Sequence, residues 1–165
     1  MRRPVLLLVL GLTLTACLDD DPTVEAPASP TAPSRQPASV LSIGTESGQP
    51  ATLHVEIADD DDERARGLMG VDDLPVDQGM AFVWDEPVDA AFWMKDTLIP
   101  LSIAFWDTEG RVIAILDMEP CAEDPCRTYA PEEPFVGAVE ANLGWFADHG
   151  VQVGDAVELE ERAYV

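Results

Sequence analysis

Hydrophobic and polar positions alternate with a period of two along "ATLHVEIA", Ala51 to Ala58: Leu53, Val55 and Ile57 fall on one face, Thr52, His54 and Glu56 on the other. That pattern predicts a strand with one buried face. Downstream, "PLSIAFWDTEGRVIAILDM" holds two apolar runs rich in β-branched and aromatic residues around Asp107-Thr108-Glu109-Gly110. The tetrapeptide is a turn, and the whole reads as a hairpin. Leu101, Ile103 and Phe105 share one face of its first strand, and Ser102, Ala104 and Trp106 the other. "MAFVW" from Met80 and "AAFWMK" from Ala90 read as strands on either side of Asp85 to Asp89, followed by "PFVGAVEA" and a final "DAVELE". Two short helices interrupt the strands. The carboxylates of Asp59 to Asp62 precede "ERARGLMG", where they cap free amides and suit the positive end of a helix. "NLGWFADHG" has Asn142 as its expected cap and Gly150 as its stop. The expected fold is mainly β (α+β), a compact antiparallel barrel or sandwich of about seven short strands with two short helices. The pattern does not fix the strand order.

The N-terminal residues follow a different logic. Arg2 and Arg3, the apolar run Val5 to Leu14 and small residues before Cys17 have the three-part build of an export signal. The apolar run is short for a permanent span of about 30 Å of hydrocarbon. Leu14-Thr15-Ala16-Cys17 resembles the lipobox of prokaryotic lipoproteins, which implies cleavage after residue 16, an acylated Cys17 and membrane lipid as a partner. From residue 17 to 39 prolines and aspartates dominate and little can be buried, so this stretch is expected to be a disordered tether. Residues 40–165 form the expected globular domain, extracytoplasmic and anchored to the cell membrane by its lipidated N-terminus. In that compartment Cys121 and Cys126 of "CAEDPC" are expected to form a disulfide.

Charge narrows the partners. Aspartate and glutamate exceed lysine and arginine by 32 to 9, which excludes a nucleic-acid partner, because phosphate neutralisation needs clustered cations. Acidic, lysine-poor surfaces also suit halophilic proteins. No Ser/His/Asp pattern, phosphate loop, dinucleotide fingerprint or pair of metal-binding histidines is present. His54 reads as solvated and His149 as a helix-end residue. Met69, Met80 and Met94 read as core filling, and the tryptophans and phenylalanines as packing, with a carbohydrate-stacking platform as the alternative. The aspartate run lacks the glycine turn and spaced ligands of a calcium loop. Neither a metal nor a cofactor is expected.

"ERARGLMG", "GMAFVW", "FWMKDTLIPLSIAF", "GRVIAI", "CRTY", "AVEANLG" and "VGD" follow one another in the order and spacing of the DUF192 (UPF0127) family, and the resemblance runs from about Leu53 to Glu160. It implies a small, β-rich, barrel-like domain, often exported, without an assigned activity. Position by position it carries over Arg66 to Met69, Gly79, Met80, Phe82, Trp93 to Lys95, Thr97, Pro100, Leu101, Glu140 and Gly144. Asp96 stands where asparagine is usual in the family, and Ser102 where aspartate is usual. Lys95, the only lysine in the chain, lies in an aromatic stretch, where burial can lower the pKa of an ammonium but leaves an arginine charged. The candidate ligand-binding set is therefore Arg66, Trp93, Lys95, Asp96, Thr97 and Glu140. The expected function is binding of a small anionic or carbohydrate ligand, or of an envelope protein, near Lys95. Two alternatives stay open: an envelope or carbohydrate-processing enzyme, whose catalytic residues the sequence does not identify, and a structural or assembly module in which Lys95 pairs with Glu140 or Asp96.

Overall fold

The computed structural model describes residues 39–161; the expected leader, Cys17 and all of the tether except Ser39 lie outside the described residues. In chain order the elements are β1 (Ser39–Ile43), β2 (Ala51–Ala58), α1 (Asp61–Arg66), β3 (Gln78–Val88), β4 (Phe92–Trp93), β5 (Leu101–Trp106), β6 (Val112–Met118), β7 (Thr128–Tyr129), β8 (Phe135–Asn142), α2 (Trp145–Asp148) and β9 (Val157–Glu161). Seven of the strands form one sheet in the order β6-β5-β8-β3-β2-β1-β9, while β4 and β7 pair separately. The fold is mainly β, as the hydropathy pattern implies, but the sheet curls into a half-barrel and is not a closed barrel or a sandwich. Its two end strands approach each other through the Arg111–Ala156 bridge, where the Val112 amide donates to the Asp155 carbonyl at 2.9 Å.

Pairing is antiparallel except between β2 and β3, which run parallel from His54↔Gln78 to Ala58↔Phe82. A parallel pair cannot be joined by a tight turn, so the chain must cross a face of the sheet between the two strands. That crossover, residues 59–77, contains α1. Asp60 caps the helix by accepting from the Glu63 amide at 2.8 Å, as the acidic run implies. At the C-terminal end Gly67, at φ 48°, turns the chain away over the Phe82 ring.

Both faces of the sheet are covered, and alternation along the strands separates two apolar cores. Ala81, Ala104, Val139 and Ala141 face the core shared with Leu41, Leu53, Val55, Trp145 and Phe146. Met80, Phe82, Ile103, Phe105 and Ala138 face the other, with Leu68, Met94, Met118 and Phe135. Strand β8 sits between β3 and β5 and fits there because of its small residues: any Cβ at Gly137 would collide with the Trp106 indole.

Several expected elements differ. "AAFWMK" yields only the two-residue β4, because the Thr97 amide turns back to the Met94 carbonyl at 3.2 Å and Asp96 takes φ 55°, which ends the strand. Asn142 does not cap α2. It remains in β8 and its amide donates to the Leu74 carbonyl at 2.9 Å, while Gly144, at φ 81°, occupies the cap. Strands β1 and β7 carried no sequence prediction, and Ser39, placed at the end of the tether, begins β1 and is buried. The Cys121–Cys126 disulfide is present, with an S–S distance of 2.09 Å.

Candidate functional site

The crossover leaves space beneath it. Between α1 with its following loop and the segment 90–97, a cleft of about 220 Å³ opens over the face of the sheet that carries Phe82. Its apolar walls include Phe82, Trp84, Phe92 and Trp93. Phe92 is the centre of this aromatic group, meeting Phe82 edge-on at 4.9 Å and Trp84 at 6.4 Å between ring centroids. Trp93 is half exposed.

Four lining residues are polar or charged: Arg64, Arg66, Thr97 and Glu140. Arg64 is already committed. Its guanidinium donates to the Val83 carbonyl at 2.9 Å, pairs with Asp61 at 2.7 Å and stacks over Trp84 with 5.2 Å to the ring centroid. Arg66, in the last turn of α1, is exposed, and its guanidinium has no hydrogen bond or ion pair among the described residues. Thr97 is 6% exposed, and its hydroxyl has no partner among the described residues either.

Glu140 is the unusual group. It lies in the middle of β8, paired with Met80 on one side and Ile103 on the other, and is 4% exposed. Sheet alternation puts it on the same face as Ala138, above the aromatic core. Among the described residues its side chain makes no hydrogen bond or ion pair. Burial pushes its carboxyl up from 4.5 to about 8, since an apolar site disfavours the charged form. At neutral pH it is therefore mainly a neutral acid able to donate one hydrogen bond. Glu140 had entered the candidate set through the family resemblance, on the motif "AVEANLG".

Residues 42–159 match the family DUF192, described as "Uncharacterized ACR". The chain belongs to the DUF192 family. Among solved structures, a putative transcription regulator from Sinorhizobium meliloti 1021 is 31% identical with a TM-score of 0.68, over 75% of this chain and 95% of that one. A protein of unknown function from Novosphingobium aromaticivorans DSM 12444 is 32% identical with a TM-score of 0.67, over 72% of this chain and 83% of that one. No curated protein matches the chain.

In this DUF192 domain the six nominated residues divide into two groups. Arg66, Trp93, Thr97 and Glu140 line one cleft. Lys95 and Asp96 do not line it. The Lys95 ammonium pairs with Asp124 at 3.1 Å, in the loop closed by the disulfide, and its backbone bridges to Cys121. Asp96 is exposed; its amide donates to the Cys121 carbonyl at 3.0 Å and its carbonyl accepts from the Gly70 amide at 2.9 Å. These two residues hold the turn that delivers Thr97 to the cleft. Arg64, Trp84 and Phe92 also line the cleft without having been singled out in the sequence, and Phe82 had been carried over as a motif residue but not as a ligand contact. The stacking of a cation on Trp84 is a contact between elements nineteen or more residues apart, which no local pattern reveals.

Proposed function

We propose that this DUF192 domain is a small-ligand-binding module, held outside the cytoplasm on a membrane by acylated Cys17, and that it takes a small anionic or carbohydrate ligand in the cleft at Glu140. The observation that carries the reading is the Glu140 carboxyl, buried, reached by the cleft and without a partner among the described residues. Reached through the cleft, this carboxyl can donate its proton to a ligand acceptor, a hydrogen bond worth about 0.5–1.5 kcal/mol net. The enzyme reading has less support. Glu140 is the only lining side chain able to exchange a proton near neutral pH, as Arg64 and Arg66 stay charged, and acid–base chemistry ordinarily uses two such groups. A structural pair of Lys95 with Glu140 is not formed, since Lys95 pairs with Asp124.

Trp84 and Trp93 supply the measurement. The full-length protein in detergent micelles is titrated with glucose, glucuronate, benzoate and acetate while tryptophan emission is followed, in parallel with Ala65→Trp, which places an indole on the helix face lining the cleft. At least one probe saturates with the native chain and loses its effect in the variant. Responses that persist in Ala65→Trp, or no saturable response in the set, dismiss the reading. The anchor is tested apart from this, by intact mass of protein extracted from membranes. Cleavage before Cys17 with added acyl mass supports it, and a chain that keeps its leader refutes it.

A further inference from the structure

The cleft is small and its polar groups are few, and together these two facts select among ligands. Its volume is about 220 Å³, compared with about 150 Å³ for an apolar protein cavity that accommodates benzene. One six-membered ring with one or two substituents fills it. A sugar ring of that size brings a hydroxyl on most of its carbons, and each hydroxyl that loses water needs a partner. Of the four polar or charged side chains in the lining, Arg64 is spent on Asp61, Val83 and Trp84. Arg66, Thr97 and Glu140 remain, too few for a polyol and enough for a molecule with two polar ends.

The remaining groups also differ in place and character. Arg66 is exposed, so it can hold an ionised group that keeps part of its hydration. Glu140 and Thr97 are buried and uncharged in their resting form, which suits a neutral hydroxyl or carbonyl. The rings of Phe82, Trp84 and Phe92 line the same cleft. We infer that the ligand of this cleft is a compact apolar carboxylic acid, a single ring or its equivalent, with its carboxylate on Arg66 and one neutral polar group at the Glu140–Thr97 end. The inference rests on the cleft being a ligand site, and it replaces the carbohydrate half of that reading with an aromatic or alicyclic acid.

Para-hydroxybenzoate is the probe, with benzoate, para-hydroxybenzamide, glucuronate and glucose as comparisons, each titrated calorimetrically into the full-length protein in micelles and into Arg66→Ala and Ala65→Trp. Para-hydroxybenzoate binds most tightly. Benzoate, which lacks the hydroxyl, is weaker by about tenfold, and the amide, which lacks the charge, by a similar factor, in line with one hydrogen bond each. Arg66→Ala weakens the hydroxybenzoate by about tenfold and leaves the amide unchanged, because the removed side chain acts on the carboxylate alone. Arg66 is exposed and unpaired, so its loss leaves folding intact. If glucuronate or glucose binds and para-hydroxybenzoate does not, the apolar-acid class is overturned while the cleft remains a ligand site. If para-hydroxybenzoate binds equally to all three proteins, it binds elsewhere, and the inference is overturned. If no probe of either chemistry binds, the inference falls together with the ligand reading of the cleft.

Discussion

A carboxyl that is mainly neutral at pH 7 makes stability depend on pH in an uncommon direction. Glu140 is raised to about 8 in the folded chain from 4.5, so between those values the folded state holds a proton that the unfolded state has released. The slope of unfolding free energy with pH is then negative. The stabilisation is complete below about 4.5, is lost as pH rises towards 8, and changes no further above that. Arg64 and Arg66 of α1 are the charged groups in the lining; Met80 and Ile103, the cross-strand neighbours, do not titrate. In Glu140→Gln the proton linkage disappears and the amide keeps a donor. The difference in urea midpoint between variant and native chain should therefore grow in favour of the variant from pH 5 to pH 8. A difference that stays constant would mean that Glu140 is ionised throughout. Ser102 offers a second single-residue test. It donates to Asp117 at 2.5 Å and accepts from the Gly144 amide at 2.8 Å while 1% exposed. An aspartate at this position, as the family resemblance implies, would face Asp117 directly, two carboxyl groups across one strand pair, whereas serine donates to that carboxyl. Ser102→Ala leaves the Gly144 amide without its partner and should cost about 1–3 kcal/mol in denaturant unfolding, and a cost near zero would show that water replaces the hydroxyl. Asp96, where the family resemblance implies asparagine, meets a constraint both residues satisfy, since its φ of 55° lies where Asn and Asp are the tolerated side chains.

Between neighbouring elements, the wall of the cleft is built as a strap. The disulfide closes residues 121–126, Cys121 exchanges backbone hydrogen bonds with Met94 and Asp96, and Asp96 accepts from Gly70 in the loop after α1. Opening the disulfide in a Cys121→Ser, Cys126→Ser double variant should lower stability by about 2 kcal/mol on loop entropy and speed hydrogen exchange at Gly70 and Asp96 most. Lys95→Met removes one pair whose acid is largely exposed, worth about 0.2–1 kcal/mol. If that substitution costs as much as the disulfide, the ion pair and not the covalent link holds the strap. The sequence announced the pieces of this arrangement unevenly. Strand β2, the β5–β6 hairpin and the capped α1 were legible because period, turn and cap are local signals. The crossover that makes the cleft was not, because a parallel β2–β3 pair follows from register between residues more than twenty apart. Strands β4 and β7, two residues each, are defined only by pairing with each other. For the same reason Lys95 drew attention as the centre of the site: its rarity is visible in sequence, but its partner Asp124 is set by the fold.

For the molecule as a whole, charge is the dominant electrostatic feature. The formal net charge is −23, and the cations of the described domain are few: Arg64 is bound to Asp61, Lys95 to Asp124, Arg111 to the Gly154 carbonyl at 3.3 Å, Arg127 lies over the Tyr129 ring, and Arg66 is exposed at the cleft. Carboxylates thus far outnumber the cations, and folding brings them closer than they are in an extended chain. Self-repulsion of this kind weakens as ions screen it, with a Debye length of about 30 Å at 0.01 M salt, 10 Å at 0.1 M and 3 Å at 1 M. The unfolding midpoint should therefore rise with sodium chloride, steeply up to a few tenths molar, where screening becomes shorter than the spacing of surface charges, and then level off. The shape of the curve matters as much as its direction. Strengthened apolar burial by a salting-out anion grows without such a plateau, so parallel curves in chloride and sulfate separate the two causes. A midpoint that is flat or falls from low to molar chloride would show that repulsion among these carboxylates does not limit the fold, and would remove the physical ground for reading the composition as an adaptation to salt.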